Sequence, residues 1–127
     1  MSVIKQLASK ELKDFLVNNK NIELLDVRTQ DEWDNIGKPD GEKLSLKTHF
    51  VTIVRSPDPS ANKVFVEEVK NKIDPKKQLL VICKAGGRSM MASQLLSQEN
   101  ITCINISDGF EGNGENAGWK NEGLPSK

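Results

Sequence analysis

Leu79, Leu80, Val81, Ile82, Cys83, Lys84, Ala85, Gly86, Gly87, Arg88 and Ser89 run from an apolar strand-like stretch, through a short polar turn, into a helix-like segment. A cysteine at such a junction faces the unpaired N–H groups of the first helical turn, whose positive dipole ends favour thiolate over thiol. Lys84 and Arg88 place fixed positive charge in the same loop, and Gly86 and Gly87 let successive amides turn inward as an anion-binding concavity. The stretch therefore predicts a nucleophile, Cys83, and a cradle for negative charge formed by Lys84, Ala85, Gly86, Gly87, Arg88 and Ser89. A buried structural cysteine accounts for Cys83 alone, but it needs neither two consecutive glycines nor two cations within five residues.

Outward from this loop, strand-like and helix-like runs alternate, the pattern of an α/β domain with a mostly parallel central sheet flanked by helices. Val3 to Gln6 reads as a strand. Ser9 is placed to cap a helix carrying Leu12, Phe15 and Leu16 on one face. Ile22 to Val27 reads as a buried strand, and Thr29 with Glu32 forms a capping box for a short helix holding Trp33. Gly37, Pro39, Asp40 and Gly41 end it in a loop. His49 to Val54 alternates as a strand, with His49 a surface or strand residue, and Ser56, Pro57, Asp58, Pro59 and Ser60 read as a turn too short to separate two cores. Val64, Phe65, Val69 and Ile73 recur at helical spacing between Asn62 and Ile73, where Pro75 stops the helix. Met90, Met91, Leu95 and Leu96 are the expected buried stripe of the helix that follows the cysteine loop.

Thr102 to Ile106 predicts one more strand. If it neighbours the strand ending at Cys83 in parallel, Cys103 starts one strand while Cys83 ends the other. Three residues of offset at ~3.3 Å separate them by roughly 10 Å, beyond the ~7 Å reach of a disulfide. Cys103 is then a packing residue, and two cysteines with one histidine fall short of a structural zinc site. Asp26 and Arg28 end their strand at the same sheet edge and are expected to form a structural ion pair or to hydrogen-bond loop backbone, in preference to a catalytic role. A carboxylate aimed at the sulfur would disfavour thiolate, so Asp26 is expected to support the loop from behind. Gly109 to Gly118 reads as an irregular surface segment, and Trp119 as the anchor of the C-terminal tail against the core.

At 127 residues the chain fits one core, and residues 1–127 are expected to form a single domain. Lys and Arg number 18 against 18 Asp and Glu, so no overall field draws the protein to nucleic acid or an anionic membrane. No apolar run approaches the ~18 residues of a membrane span, and the first ten residues lack the pattern of a secretory signal. A cytoplasmic protein is expected.

The cysteine loop resembles that of the rhodanese-like family of sulfurtransferases, which opens with a cysteine and closes with an arginine, as Cys83, Lys84, Gly86 and Arg88 do. Leu24, Leu25, Asp26, Val27 and Arg28 with Glu32 and Trp33 are similar to the family's upstream signature. Gly109, Phe110, Glu111 and Gly112 with Gly123, Leu124 and Pro125 are similar to its closing segment. Where the upstream block often continues with glycine and histidine, this chain has Gly37, Lys38 and Pro39.

The resemblance implies sulfur transfer in two steps through a Cys83 persulfide, with thiosulfate or another persulfide as donor and a thiol or cyanide as acceptor. It also implies that a protein sulfur donor or acceptor can be a partner, and that no metal or organic cofactor takes part. Loop length separates the family's chemistries. Six residues from cysteine to arginine go with sulfur transfer, and one more with phosphatases and arsenate reductases, whose substrates carry three equatorial oxygens. Cys83 to Arg88 is six. The alternatives are the phosphatase or arsenate reductase chemistry, and a non-catalytic interaction or sulfur-carrier module.

Overall fold

The computed structural model describes residues 3–54 and 62–127. The turn read at Ser56 to Ser60 lies outside the described residues. Five strands, β1 (Lys5–Leu7), β2 (Ile22–Asp26), β3 (Lys47–Phe50), β4 (Gln78–Ile82) and β5 (Cys103–Ile106), form one sheet in the order β1-β5-β4-β2-β3, and every pairing is parallel. Between them lie helices α1 (Leu12–Asn18), α2 (Gln30–Asn35), α3 (Phe65–Lys70) and α4 (Gly87–Ser97), with 3-10 turns at Ser9–Glu11 and Gly41–Leu44. No helix among the described residues is long and apolar enough to cross a membrane.

Side chains alternate across the central strands, and the two faces bury separate apolar clusters. Leu25, Leu79, Val81, Cys83 and Cys103 pack on one face with Phe65 and Val69 of α3 and Ala92 and Leu96 of α4. Leu24, Leu80, Ile82 and Ile104 pack on the other with Leu12 of α1, Phe110 and Trp119. Trp119 is fully buried and its indole N–H donates to the Pro125 carbonyl at 2.7 Å, so it anchors the tail as expected.

Local readings shift where tertiary partners override them. The first strand is Lys5–Leu7, the stretch that lies opposite β5, and Val3 is almost fully exposed. Ser9 caps no helix, because its N–H and hydroxyl both donate to the buried Asp108 carboxylate, at 3.0 and 2.9 Å. β3 stops at Phe50, since β2 ends opposite it at Asp26. His49 is a strand residue but is buried, its Nε2 2.8 Å from Glu23 Oε1. The third helix begins only at Phe65, because the Asn62 side chain accepts from Val64 N–H and holds the preceding turn. Val64 is half exposed.

In α4 the buried positions are Ser89, Ala92, Ser93 and Leu96, while Met91 and Leu95 face outward and Met90 is half-buried. The spacing is helical as expected, but the register differs. Small residues let the helix lie close to the sheet, which brings its N-terminus to Cys83.

Candidate active site

Parallel strands all end on one side, and ligands of open α/β sheets bind at that edge. Cys83 directly follows β4 there and is 1% exposed. The chain turns through Lys84 and Ala85 to Gly86, the N-cap of α4, whose φ is +106°. A Cβ at Gly86 would run into the Ser107 carbonyl oxygen, so the turn needs glycine on two counts. The Gly86 N–H donates to Cys83 Sγ at 3.1 Å. Gly87, Arg88 and Ser89 are the first three residues of α4, whose N–H groups have no acceptor within the helix.

The expected loop residues fall into three groups. Gly86 and Ser89 touch the sulfur, Ser89 Oγ at 3.3 Å. Lys84, Ala85 and Gly87 are exposed at the rim, and Lys84 makes no ion pair among the described residues. Arg88 is engaged elsewhere. Its guanidinium forms a two-pronged pair with Glu32, at 2.7 and 2.9 Å, while remaining within electrostatic reach of Cys83.

Glu32 therefore has two tasks. It closes the capping box of α2, accepting from the Thr29 N–H at 3.1 Å, and it holds Arg88. Burial opposes its ionisation, but hydrogen bonds from Arg88 and Thr29 and the Arg88 charge outweigh this and bring the carboxyl from 4.5 to about 2. The stabilisation this implies is complete above pH 4.5 and is lost as pH falls toward 2. Denaturant unfolding of the wild type and Glu32→Gln is thus expected to show a difference at neutral pH that closes progressively below pH 4.5.

Asp26 and Arg28 form a fully buried ion pair, Arg28 Nη2 to Asp26 Oδ2 at 2.8 Å. Complete burial pushes the Asp26 carboxyl upward, against the pull of its Arg28 contacts. Arg28 also donates to the Gly37 carbonyl at 2.9 Å, and its guanidinium lies 4.3 Å over the Phe110 ring. Phe110 N–H in turn donates to the Cys83 carbonyl at 2.8 Å. The structural ion pair, one of the two structural roles expected for these residues, is thus joined to the loop through Phe110.

The segment after β5 is less peripheral than its glycines suggested. Gly109, at φ +64°, passes so close beneath the loop that a Cβ would strike the Lys84 carbonyl, and Gly109, Phe110 and Gly118 are buried. In this segment residues 113–115 and Ala117 are exposed, and the rest are buried or half-buried. Cys103 is free, as is Cys83, and pairs in register with Leu79, four residues before Cys83. Burial pushes the Cys103 thiol up to about 12, which suits a packing residue.

Sequence reasoning missed Asn105, which is buried beneath Ser89 and bonded to it. Alternation along β5 could have revealed it: Asn105 shares the α4 face with Cys103, where a polar residue needs a partner.

A parallel sheet with a cysteine at its C-terminal edge, beneath the N-terminus of a helix, defines an α/β domain with a cysteine-loop site. The chain belongs to the Rhodanese-like domain family, whose description matches residues 8–115. It is 33% identical over 124 residues to the uncharacterized protein RP600 of Rickettsia prowazekii, covering 97% of each chain. Among solved structures it is similar to Rv0390 of M. tuberculosis, with TM-score 0.86 and 29% identity over 99% of this chain and 98% of that one. A rhodanese-like domain protein of Staphylococcus aureus shares the fold, with TM-score 0.66 and 21% identity over 98% of this chain and 99% of that one.

Proposed function

We propose that the protein is a sulfurtransferase that moves a sulfane sulfur from thiosulfate or a persulfide donor to a thiol or cyanide through a Cys83 persulfide. The supporting observation is the sulfur's position: beneath the first turn of α4, 3.1 Å from the Gly86 nitrogen, with Arg88 beside it.

In the first step the Cys83 thiolate attacks the outer sulfur of thiosulfate. The donor's S–S bond breaks, sulfite leaves with the bonding pair, and a Cys83 persulfide forms. In the second, the acceptor attacks the outer persulfide sulfur and Cys83 leaves as thiolate, giving thiocyanate from cyanide or a new persulfide from a thiol. Amide N–H groups from Ala85 to Ser89 would hold the charge on the transferred sulfur. Lys84 and Arg88 would bind the anionic donor and leaving group, Arg88 by exchanging its Glu32 partner for the ligand. A protein persulfide can serve as donor or acceptor on the same terms; neither nucleic acid nor membrane is a partner in this reading. The chemistry suits the reducing cytoplasm, where free thiols persist.

Ester hydrolysis at the same cysteine would need a protonated acid for the leaving oxygen. Glu32, the carboxyl paired with Arg88, is held at about 2 and is ionised at neutral pH. This favours the sulfur chemistry over a phosphatase, as does the six-residue loop.

Paired assays test the reading: thiocyanate formation from thiosulfate and cyanide, and hydrolysis of an aryl phosphate. Turnover in the first alone upholds it, and turnover in the second alone overturns it. Arg88→Ala is expected to raise KM for thiosulfate by about tenfold or more, the scale of one charge-assisted hydrogen bond, with a smaller effect on kcat.

A further inference from the structure

Ser89 has one hydroxyl proton and three neighbouring atoms that could receive it. Its Oγ lies against Asn105 Oδ1, 3.2 Å from the Gly86 carbonyl oxygen and 3.3 Å from Cys83 Sγ. The orientation of Asn105 decides among them. Asn105 Nδ2 donates to Gln6 Oε1 at 2.8 Å and to the Gly86 carbonyl at 3.2 Å. A backbone carbonyl can only accept, so turning the amide over would set two oxygens against each other. Gln6 is oriented in its turn, its own amide nitrogen donating to the Ile4 carbonyl at 3.2 Å.

Asn105 therefore presents its oxygen to Ser89, and this is the shortest contact that Ser89 makes. The hydroxyl proton lies between those two oxygens. Ser89 is left with lone pairs toward Cys83, and any hydrogen bond across that 3.3 Å contact must be donated by the thiol.

We infer that Asn105 is a positioning residue that holds the Ser89 proton away from Cys83, so that the hydroxyl must leave Asn105 and turn before it can donate to a thiolate. The inference rests on the proposed role of Cys83 as nucleophile. It sets a local brake against the groups that favour the charged sulfur. Those groups are the Gly86 N–H, Arg88 on α4 and Lys84 in the loop; the carboxylates nearby are Glu32 on α2, paired with Arg88, and Asp26 at the end of β2, paired with Arg28. None of these charged side chains is bonded to Asn105; its one bond within the set is to the Gly86 carbonyl, and the Ser89→Ala background separates loss of that bond from release of the hydroxyl.

The test is the pH dependence of Cys83 alkylation by iodoacetamide, read by peptide mass so that Cys103 is scored separately. Asn105→Ala and the volume-filling Asn105→Leu are compared with the wild type, with and without Ser89→Ala. Freed from Asn105, the hydroxyl can donate to the thiolate, and the alkylation midpoint is expected to fall by about one pH unit. In the Ser89→Ala background the same substitutions are expected to move it little. A midpoint that stays or rises in the Asn105 variants, or that falls equally without the Ser89 hydroxyl, overturns the inference. If the alanine variant does not fold, the leucine variant decides. Alkylation requires no sulfur donor: shifts without thiosulfate turnover would refute the proposed function alone, and turnover without shifts would refute this inference alone.

Discussion

Incubation with thiosulfate is expected to add one sulfur atom to Cys83, visible in the intact mass and removed by cyanide. Cys83→Ser is expected to gain none and to lose thiocyanate formation by more than about a thousandfold, the scale on which loss of a catalytic nucleophile acts. The substitution changes one buried atom, and the Gly86 N–H can donate to an oxygen as it does to sulfur, so the fold has little reason to change. A serine hydroxyl, however, stays protonated where a thiol ionises, and a helix N-terminus offers far too little to close that difference. Cys103→Ser provides the control. Its thiol is buried and pushed up to about 12, and it belongs to the opposite end of the neighbouring strand. Full sulfur loading is expected to survive there. Loading of Cys83→Ser, or loss of loading in Cys103→Ser, would count against the mechanism.

The largest effect on stability is expected at Asp26. Asp26→Ala leaves the Arg28 guanidinium at 0% exposure without its counter-charge, and such removals cost about 3–5 kcal/mol. Denaturant unfolding measures this directly. Replacing both residues, Asp26→Leu with Arg28→Met, removes the orphaned charge and is expected to recover most of the loss. The double variant is nonetheless expected to lose sulfur transfer. Arg28 holds the Gly37 carbonyl and stacks on Phe110, whose N–H is bonded to the Cys83 carbonyl. Stability regained while transfer stays low would separate the pair's two contributions. Transfer retained in the double variant would confine the pair to stability.

The parallel sheet and the cysteine loop were legible because short-range chemistry writes them. Leu79 to Ile82 is apolar throughout, as a strand buried on both faces must be, and Thr29 with Glu32 marks a helix start by spacing alone. What escaped depends on partners distant in the chain. Ser9 has the chemistry of a cap, but it is bound to Asp108, 99 residues away. Met91 and Leu95 looked like core by hydrophobicity, yet close packing of α4 against the sheet favours Ser89, Ala92 and Ser93 in the buried positions. Glu32 was legible as a capping residue and not as the partner of Arg88, because nothing local joins α2 to α4. Asn105 was passed over for the same reason: its meaning lies in Ser89 and Gln6, and neither is near it in sequence.

The order of strands bears on how the protein is made. β1 lies at the sheet edge, and its one neighbour in the sheet is β5, so Gln6 meets Asn105 only after 99 further residues have been joined. On the ribosome, the first strand emerges early and waits for the last one. Cys83 is synthesised in that interval, before Asn105 exists to hold the Ser89 proton and before Gly109 and Phe110 can close beneath the loop. A nascent chain therefore carries an open thiol, and protection of that thiol marks the moment when the segment after β5 has closed beneath the loop.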